Sequence, residues 1–200
     1  MTTWRGTNPT GCAALLLAPG AGADRNQSAL VAIDRALTPH GVVVARMDFP
    51  YRTAGRRAPD RPPVLVAAVR EEAARLAAAA DCPLTAVAMG GRSMGGRMCS
   101  MAVAEGLPAA ALVLISYPLH PPGRPDRLRT EHFPALGVPC LFVSGTRDAF
   151  GTPDELMSAT AAIPGAVVHH WIAGKDHGLR GCDAEVATVV RSFVTGLEGC

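Results

Sequence analysis

Aromatic residues and lysine are scarce in this chain. Aromatic residues make up 4% of the sequence, and Lys175 is the only lysine, so arginine carries nearly all of the positive charge. The net charge is only +2, and the sequence has no basic tract interleaved with aromatic residues, the pattern used to bind single-stranded nucleic acid. We therefore expect no nucleic-acid partner and a core built from alanine, valine and leucine.

Long hydrophobic runs are also missing. The longest ones, residues 12–18 and 109–115, are far shorter than the roughly 20 residues needed to span a bilayer. Residues 1–6 lack the basic segment and the apolar region of a secretory signal. These patterns predict no membrane span and a cytoplasmic location.

No cysteine pattern marks a metal site or a disulfide framework. The cysteines show no CxxC or Cys/His ligand spacing, and several lie inside apolar runs, where a thiol packs like a small hydrophobic side chain. We expect reduced, mostly buried thiols, no metal and no cofactor. The six cysteines are Cys12, Cys82, Cys99, Cys140, Cys182 and Cys200.

Short apolar runs alternate with helical patterns along the sequence. The 200 residues are 48% hydrophobic and 18% charged, which is usual for a globular protein, and we predict a single domain over residues 1–200. This alternation predicts an α/β fold with a doubly wound, mostly parallel sheet flanked by helices, and sites at the carboxyl ends of the strands. Strands buried on both faces are predicted at residues 12–18, 41–47, 84–89, 109–115, 140–144 and 167–172. Helices are predicted at residues 28–38, 62–80, 93–105, 153–161 and 183–197.

Two segments, residues 50–63 and 117–139, are predicted to be loops over the rim of the sheet because they are rich in proline. The first contains four arginines, Arg52 among them. They belong either to a solvated loop or, if they border the pocket, to a site that favours anionic substrates such as carboxylate-bearing esters or acyl-thioesters. The second segment contains His120 and His132, each of which is either a structural residue or a substrate contact. His169 and His170 instead belong to a strand pattern.

The sequence Gly91-Arg92-Ser93-Met94-Gly95 follows an apolar run and opens a helical pattern. A serine on a sharp strand-to-helix turn needs residues with almost no side chain two positions before and two after it, and glycine supplies both. The pattern therefore indicates a nucleophile elbow at Ser93. The alternative is a turn serine or helix N-cap, which explains neither glycine.

An acid and a histidine follow the later strands in the order that such a serine requires. Asp148 follows the strand at 140–144, and His177 follows the strand at 167–172. A serine hydroxyl attacks well only when an imidazole removes its proton, and the imidazole needs a carboxylate to fix its tautomer. Ser93, Asp148 and His177 are thus a predicted catalytic triad. Rivals for the acid are Asp154, Glu155 and Asp176; the alternative for His177 is an exposed loop histidine.

Two backbone N–H groups are needed to hold the oxyanion. We predict that they belong to Met94, at the start of the helix after Ser93, and to Ala21, in the small-residue loop after the first strand. Further candidates for substrate binding are Gly20, Gly22, Arg92, His120 and Arg52.

Five motifs together resemble the dienelactone-hydrolase-like α/β-hydrolases of the KANL3/Tex30 type. They are Pro19-Gly20-Ala21-Gly22-Ala23-Asp24, Gly91-Arg92-Ser93-Met94-Gly95-Gly96, Tyr117-Pro118-Leu119-His120-Pro121-Pro122-Gly123, Gly145-Thr146-Arg147-Asp148-Ala149-Phe150-Gly151 and Lys175-Asp176-His177. The resemblance implies a compact hydrolase with little or no cap domain and the triad roles given above. Many relatives carry histidine where this chain has Pro19.

The sequence therefore predicts a serine hydrolase that cleaves a small ester, lactone or thioester through an acyl-enzyme on Ser93. Two alternatives remain open: a non-catalytic module that binds a protein partner, and an acyltransferase that uses the same triad. The first strand comes within the first 20 residues, so we expect an uncovered sheet edge that a partner subunit, either a second copy or another protein, would cover.

Overall fold

The computed structural model describes residues 12–197. Two sequence predictions, the reading of residues 1–6 and the state of Cys200, lie outside the described residues.

One six-stranded sheet with the order β2-β1-β3-β4-β5-β6 forms the centre of the molecule, and every neighbouring pair of strands is parallel. The fold-class prediction is confirmed, while the single-domain assignment of residues 1–200 stays a prediction. The strands are β1 (Ala14–Ala18), β2 (Val43–Arg46), β3 (Val87–Arg92), β4 (Leu112–Ile115), β5 (Cys140–Gly145) and β6 (Val167–Ile172).

Helices cover both faces of the sheet. Residues of α1 and α6 belong to one buried cluster and residues of α3, α4 and α5 to the other, because alternate strand residues point to opposite faces. The helices are α1 (Ser28–Leu37), α2 (Pro50–Thr53), α3 (Pro62–Ala79), α4 (Met94–Ala104), α5 (Pro153–Thr160) and α6 (Asp183–Thr195).

Three details differ from the sequence predictions. The edge strands β2 and β6 are partly exposed and not buried on both faces, since each has a neighbour on one side only. Strand β3 runs on to Arg92, because Gly90 and Gly91 pair with both β1 and β4 although glycine usually signals a turn. The predicted loop 50–63 begins with the four-residue helix α2, which buries Tyr51.

Candidate functional site

Ser93 connects β3 directly to α4, and its backbone has φ of 50° and ψ of −115°. A side chain at positive φ is rare and costs on the order of 1–3 kcal/mol, which the surrounding structure must offset. The Ser93 N–H donates to the carbonyl of Ile115 at 2.8 Å, and the Ser93 carbonyl accepts from Arg97 N–H at 3.1 Å. These bonds fix the turn and leave the hydroxyl at the carboxyl edge of the sheet.

The two glycines around Ser93 both pack against the end of β1. A Cβ on Gly91 would lie 2.0 Å from the carbonyl oxygen of Ala18, and one on Gly95 would lie 2.2 Å from the same atom. Both distances are far below contact distance, so only glycine allows the elbow to approach β1 this closely. The spacing that singled out Ser93 in the sequence thus has a steric cause.

His177 lies in the loop between β6 and α6, and its imidazole reaches Ser93. The Nε2 atom of His177 is 2.9 Å from Ser93 Oγ. The ring of Phe150 stacks on the imidazole with 4.0 Å between ring centres, and the Arg92 guanidinium donates to the His177 carbonyl. Both the ring and the main chain of His177 are therefore held in place.

Asp148 lies on the other side of the imidazole. Its Oδ2 and Oδ1 atoms are 2.8 Å and 3.0 Å from His177 Nδ1, and its side chain is 2% exposed. The Phe150 N–H also donates to Asp148 Oδ1 at 2.8 Å. A buried carboxylate at this distance can fix the tautomer in which Nδ1 carries the proton and Nε2 faces the serine.

The rival acids are engaged elsewhere. Glu155 forms a capping box with Thr152 at the start of α5, and Asp154 lies in the first turn of the same helix. Asp176 accepts a hydrogen bond from the N–H of Gly178. Of the four acids considered, Asp148 is the one that the structure places against His177.

Residues of the loop after β1 and of the start of α4 line the same cavity. Gly20 N–H donates to Gln27 Oε1 at 3.0 Å, and Gly22 N–H donates to the Tyr51 hydroxyl at 3.1 Å. Among the described residues, neither the Ala21 N–H nor the Met94 N–H has a hydrogen-bond partner, and both residues line the cavity at Ser93. Two residues with unused N–H donors on the lining of the cavity at Ser93 suit the binding of an oxyanion.

The cavity above Ser93 has a volume of about 490 Å³. This is within the range of sites for small ligands. The residues that line it are Gly20, Ala21, Gln27, Arg92, Ser93, Met94, Arg97, Pro118, Arg129, Phe150 and His177.

Three of the predicted substrate contacts lie away from this cavity. His120 is 5% exposed, its Nδ1 is 2.8 Å from the Pro121 carbonyl, and its Nε2 faces Glu155 at 3.5 Å. Arg52 pairs with Asp24 at 3.6 Å, and Gly22 is bound to Tyr51. The sequence could not show these contacts, because they join segments that are far apart in the chain and are brought together by the tertiary fold. The same holds for His132, whose Nε2 is 2.8 Å from the buried Ser100 hydroxyl.

The family of the chain follows from comparison with known proteins. A family model described as an alpha/beta hydrolase domain matches residues 11–192. The chain belongs to the α/β-hydrolase family. By class, therefore, the protein is a hydrolase.

Solved structures of other proteins share the fold of this α/β-hydrolase at low sequence identity. An alpha-beta serine hydrolase homologue from Coxiella burnetii has a TM-score of 0.74 at 16% identity, covering 92% of this chain and 86% of that one. Dienelactone hydrolase from Anabaena variabilis has a TM-score of 0.70 at 19% identity, covering 94% and 85%. Est1E from Butyrivibrio proteoclasticus with ferulic acid bound has a TM-score of 0.75 at 16% identity, covering 93% and 89%.

Several residues at the site of this α/β-hydrolase were not predicted from its sequence. Gln27 holds the loop of Gly20, and Phe150 stacks on His177. Arg97 and Arg129 line the cavity. Only Arg97 gave a usable signal, because it lies four residues after Ser93 on one helix and so shares its face. The positions of the others depend on how the loops fold.

Three further observations concern the described residues 12–197. No group of three or more His, Cys, Asp or Glu side chains is placed to hold a metal ion. No helix in that range has both the length and the apolar character to cross a membrane. The cysteines of that range, Cys12, Cys82, Cys99, Cys140 and Cys182, are free thiols.

Proposed function

We propose that this protein is a serine hydrolase that cleaves a small ester, lactone or thioester through an acyl-enzyme on Ser93. The observation that carries the proposal is the continuous hydrogen-bonded line from Asp148 through His177 to Ser93, with separations of 2.8 Å and 2.9 Å. A module that only binds a protein partner has no physical need for this line. Two proteins with the same fold, a dienelactone hydrolase and Est1E with ferulic acid bound, agree with a small substrate.

In the proposed reaction His177 Nε2 takes the proton of Ser93 Oγ as this oxygen attacks the carbonyl carbon. The carbonyl oxygen becomes an oxyanion, which accepts hydrogen bonds from the N–H groups of Met94 and Ala21. His177 then gives its proton to the leaving alcohol or thiol, and the acyl group remains on Ser93. Water, deprotonated by His177, releases the acid and restores the serine. Asp148 stabilises the imidazolium in both halves of the cycle.

We further propose that the chain is of the KANL3/Tex30 type within its family and works in the cytoplasm. The five motifs of the sequence support the first assignment. The free thiols of the described residues support the second, since disulfides are rare in reducing compartments.

A fluorophosphonate probe tests the proposal, because it forms a covalent bond only with an activated serine. Intact mass should show one adduct on the wild type and none on Ser93→Ala or His177→Ala. The control is Ser158→Ala, which removes an exposed serine and should leave the adduct in place. A folded wild type that takes no label, or a Ser93→Ala variant that does, would contradict the proposed nucleophile.

A further inference from the structure

The cavity above Ser93 is lined by three guanidinium groups and by no acidic side chain of the described residues. The arginines are Arg92, Arg97 and Arg129. Elsewhere in the structure several arginines face carboxylates closely: Arg25 lies 2.6 Å from Asp48 and Arg46 lies 2.9 Å from Asp34. Within the described residues, none of the three cavity arginines has such an ion pair. The cavity thus carries positive charge that no direct ion pair of the described residues neutralises.

Arg92 already has a structural task. Its guanidinium is buried, and it donates to the His177 carbonyl. Burial lowers the pKa of Arg92, and the nearby charge of Asp148 opposes that effect. The charge of Arg92 is therefore directed at the histidine loop and at Asp148, which leaves Arg97 and Arg129 as the groups free to meet a ligand.

Arg97 and Arg129 are both partly buried and poorly satisfied. The Nε atom of Arg97 is buried without a hydrogen-bond partner, and the guanidinium of Arg129 has one weak contact, from Nη1 to the Pro118 carbonyl at 3.4 Å. Burial lowers the pKa of Arg129, and the positive charge of Arg97 lowers it further. Repulsion between two like charges at a half-buried surface destabilises the fold unless an anion lies between them or beside them.

Hydrogen bonds fix the main chain of both arginines close to the elbow of Ser93. Arg97 is one helical turn from Ser93 on α4. The main chain of Arg129 is tied at both ends, since its carbonyl accepts from the Tyr117 hydroxyl at 2.6 Å and its N–H donates to Leu119 at 2.9 Å. A site held in this way needs no rearrangement of the main chain to receive a ligand.

We infer that Arg97 and Arg129 bind a carboxylate of the substrate, so that the enzyme prefers esters or thioesters carrying a negative charge away from the scissile carbonyl. This inference rests on the proposed function and adds the substrate class. Guanidinium groups bind carboxylates with two parallel hydrogen bonds, and a cavity of about 490 Å³ has room for a small monoester of a dicarboxylic acid. The sequence leaves such a preference open for the arginines of residues 50–63, if they border the pocket, whereas the arginines that line the cavity are Arg92, Arg97 and Arg129.

The test compares matched ester pairs in which a free carboxylate of one member is capped as a neutral methyl ester in the other. One pair carries the carboxylate on the acyl side, a nitrophenyl monoester of glutaric acid against its methyl-capped diester. The other carries it on the alcohol side, the acetyl ester of 4-hydroxybutyrate against the same compound capped as a methyl ester. We expect kcat/KM of the wild type to favour the charged member of one pair by about tenfold or more, the effect of a charged hydrogen bond. The pair that shows the preference locates the carboxylate.

The arginine variants show whether these side chains produce the preference. Arg97→Gln and Arg129→Gln should each reduce the ratio of charged to neutral kcat/KM by about tenfold, while the lysine variants keep part of it. The control is Arg124→Gln, which removes an arginine of the same loop that is 50% exposed and pairs with Asp126, and should keep the wild-type ratio.

The outcomes separate the inference from the proposed function. Turnover that depends on Ser93 but ignores charge in both pairs would overturn the carboxylate site and leave the hydrolase standing. The same holds if the glutamine variants slow charged and neutral esters equally, because that is the mark of a structural role. If no ester is cleaved and no probe binds, the proposed function fails. Calorimetry with glutarate then decides on the anion site: saturable binding that Arg97→Gln abolishes supports it, and no binding overturns it.

Discussion

At the scale of single residues, Asp148 is the group whose chemistry can be tested with the smallest change. Its two oxygens both face His177 Nδ1, and one of them also accepts from the Phe150 N–H. An asparagine here keeps an oxygen for Phe150 but turns an NH₂ group toward the histidine. That donor favours the tautomer in which Nε2 carries the proton, and such a ring cannot accept the proton of Ser93.

Asp148→Asn should therefore lower kcat by about 10⁴-fold with little change in the fold, as in better-studied serine triads. Steady-state kinetics on the best ester, with circular dichroism as the check on folding, measures this. The matched control is Asp176→Asn, which alters the neighbour of His177 and should change kcat only slightly. A large loss in the control and a small loss in Asp148→Asn would mean that the acid has been assigned to the wrong residue.

At the scale of elements, the elbow between β3 and α4 depends on how closely it approaches β1. Gly95 would place a Cβ 2.2 Å from the Ala18 carbonyl, whereas a Cβ at Gly137 would meet nothing within 4 Å. Alanine is favoured over glycine inside a helix by roughly 0.5–1 kcal/mol. That gain is smaller than the cost of displacing the backbone carbonyl of Ala18. The net effect of an alanine at position 95 on stability is therefore unfavourable.

Gly95→Ala should lower the free energy of unfolding by about 3 kcal/mol, and Gly137→Ala should change it by less than about 0.5 kcal/mol. Urea denaturation of the two variants beside the wild type gives both values. Equal stability of all three proteins would show that the elbow can move away from β1 at little cost, contrary to the packing described above.

The elements themselves were largely predictable from the sequence, and the missed details have tertiary causes. Buried strands such as β4 are visible as apolar runs, and the order Ser93, Asp148, His177 follows from the strand ends. The exposure of β2 and β6 was missed because a sequence does not show which strands are at the edges. Phe150 and Arg129 were missed because their positions depend on loops without a periodic pattern.

At the scale of the whole molecule, the stability of the fold should depend on pH through His132. Burial, together with the charge of Arg97, lowers the pKa of His132 from its ordinary 6.5 to about 4, while Glu131 and Glu105 oppose that effect. Its neutral ring meets the Ser100 hydroxyl of α4 at 2.8 Å. Between pH 6.5 and pH 4 the unfolded chain binds a proton at this position that the folded chain does not, so stability falls as the pH falls through that window.

The slope of unfolding free energy against pH between 6.5 and 4 should accordingly be shallower in His132→Asn than in the wild type. Urea melts at half-unit steps measure the slope, and His40→Asn, which removes an exposed histidine, gives the baseline for losing one imidazole. Burial also lowers the pKa of His169, so this residue contributes to the slope in every variant. Identical slopes in His132→Asn and the wild type would show that His132 is not held neutral by the fold.

The contact of both elbow glycines with Ala18 also links folding to the width of the oxyanion hole. Ala18 ends β1, and the loop of Ala21 starts immediately after it, while Met94 lies between Ser93 and Gly95. The two proposed N–H donors are thus mounted on the two segments that the glycines bring together. A bulkier residue at either glycine would move the donors apart as it loosened the core. In such a variant, stabilising substitutions elsewhere would restore folding but would leave the two N–H donors apart. Stability would then return without turnover.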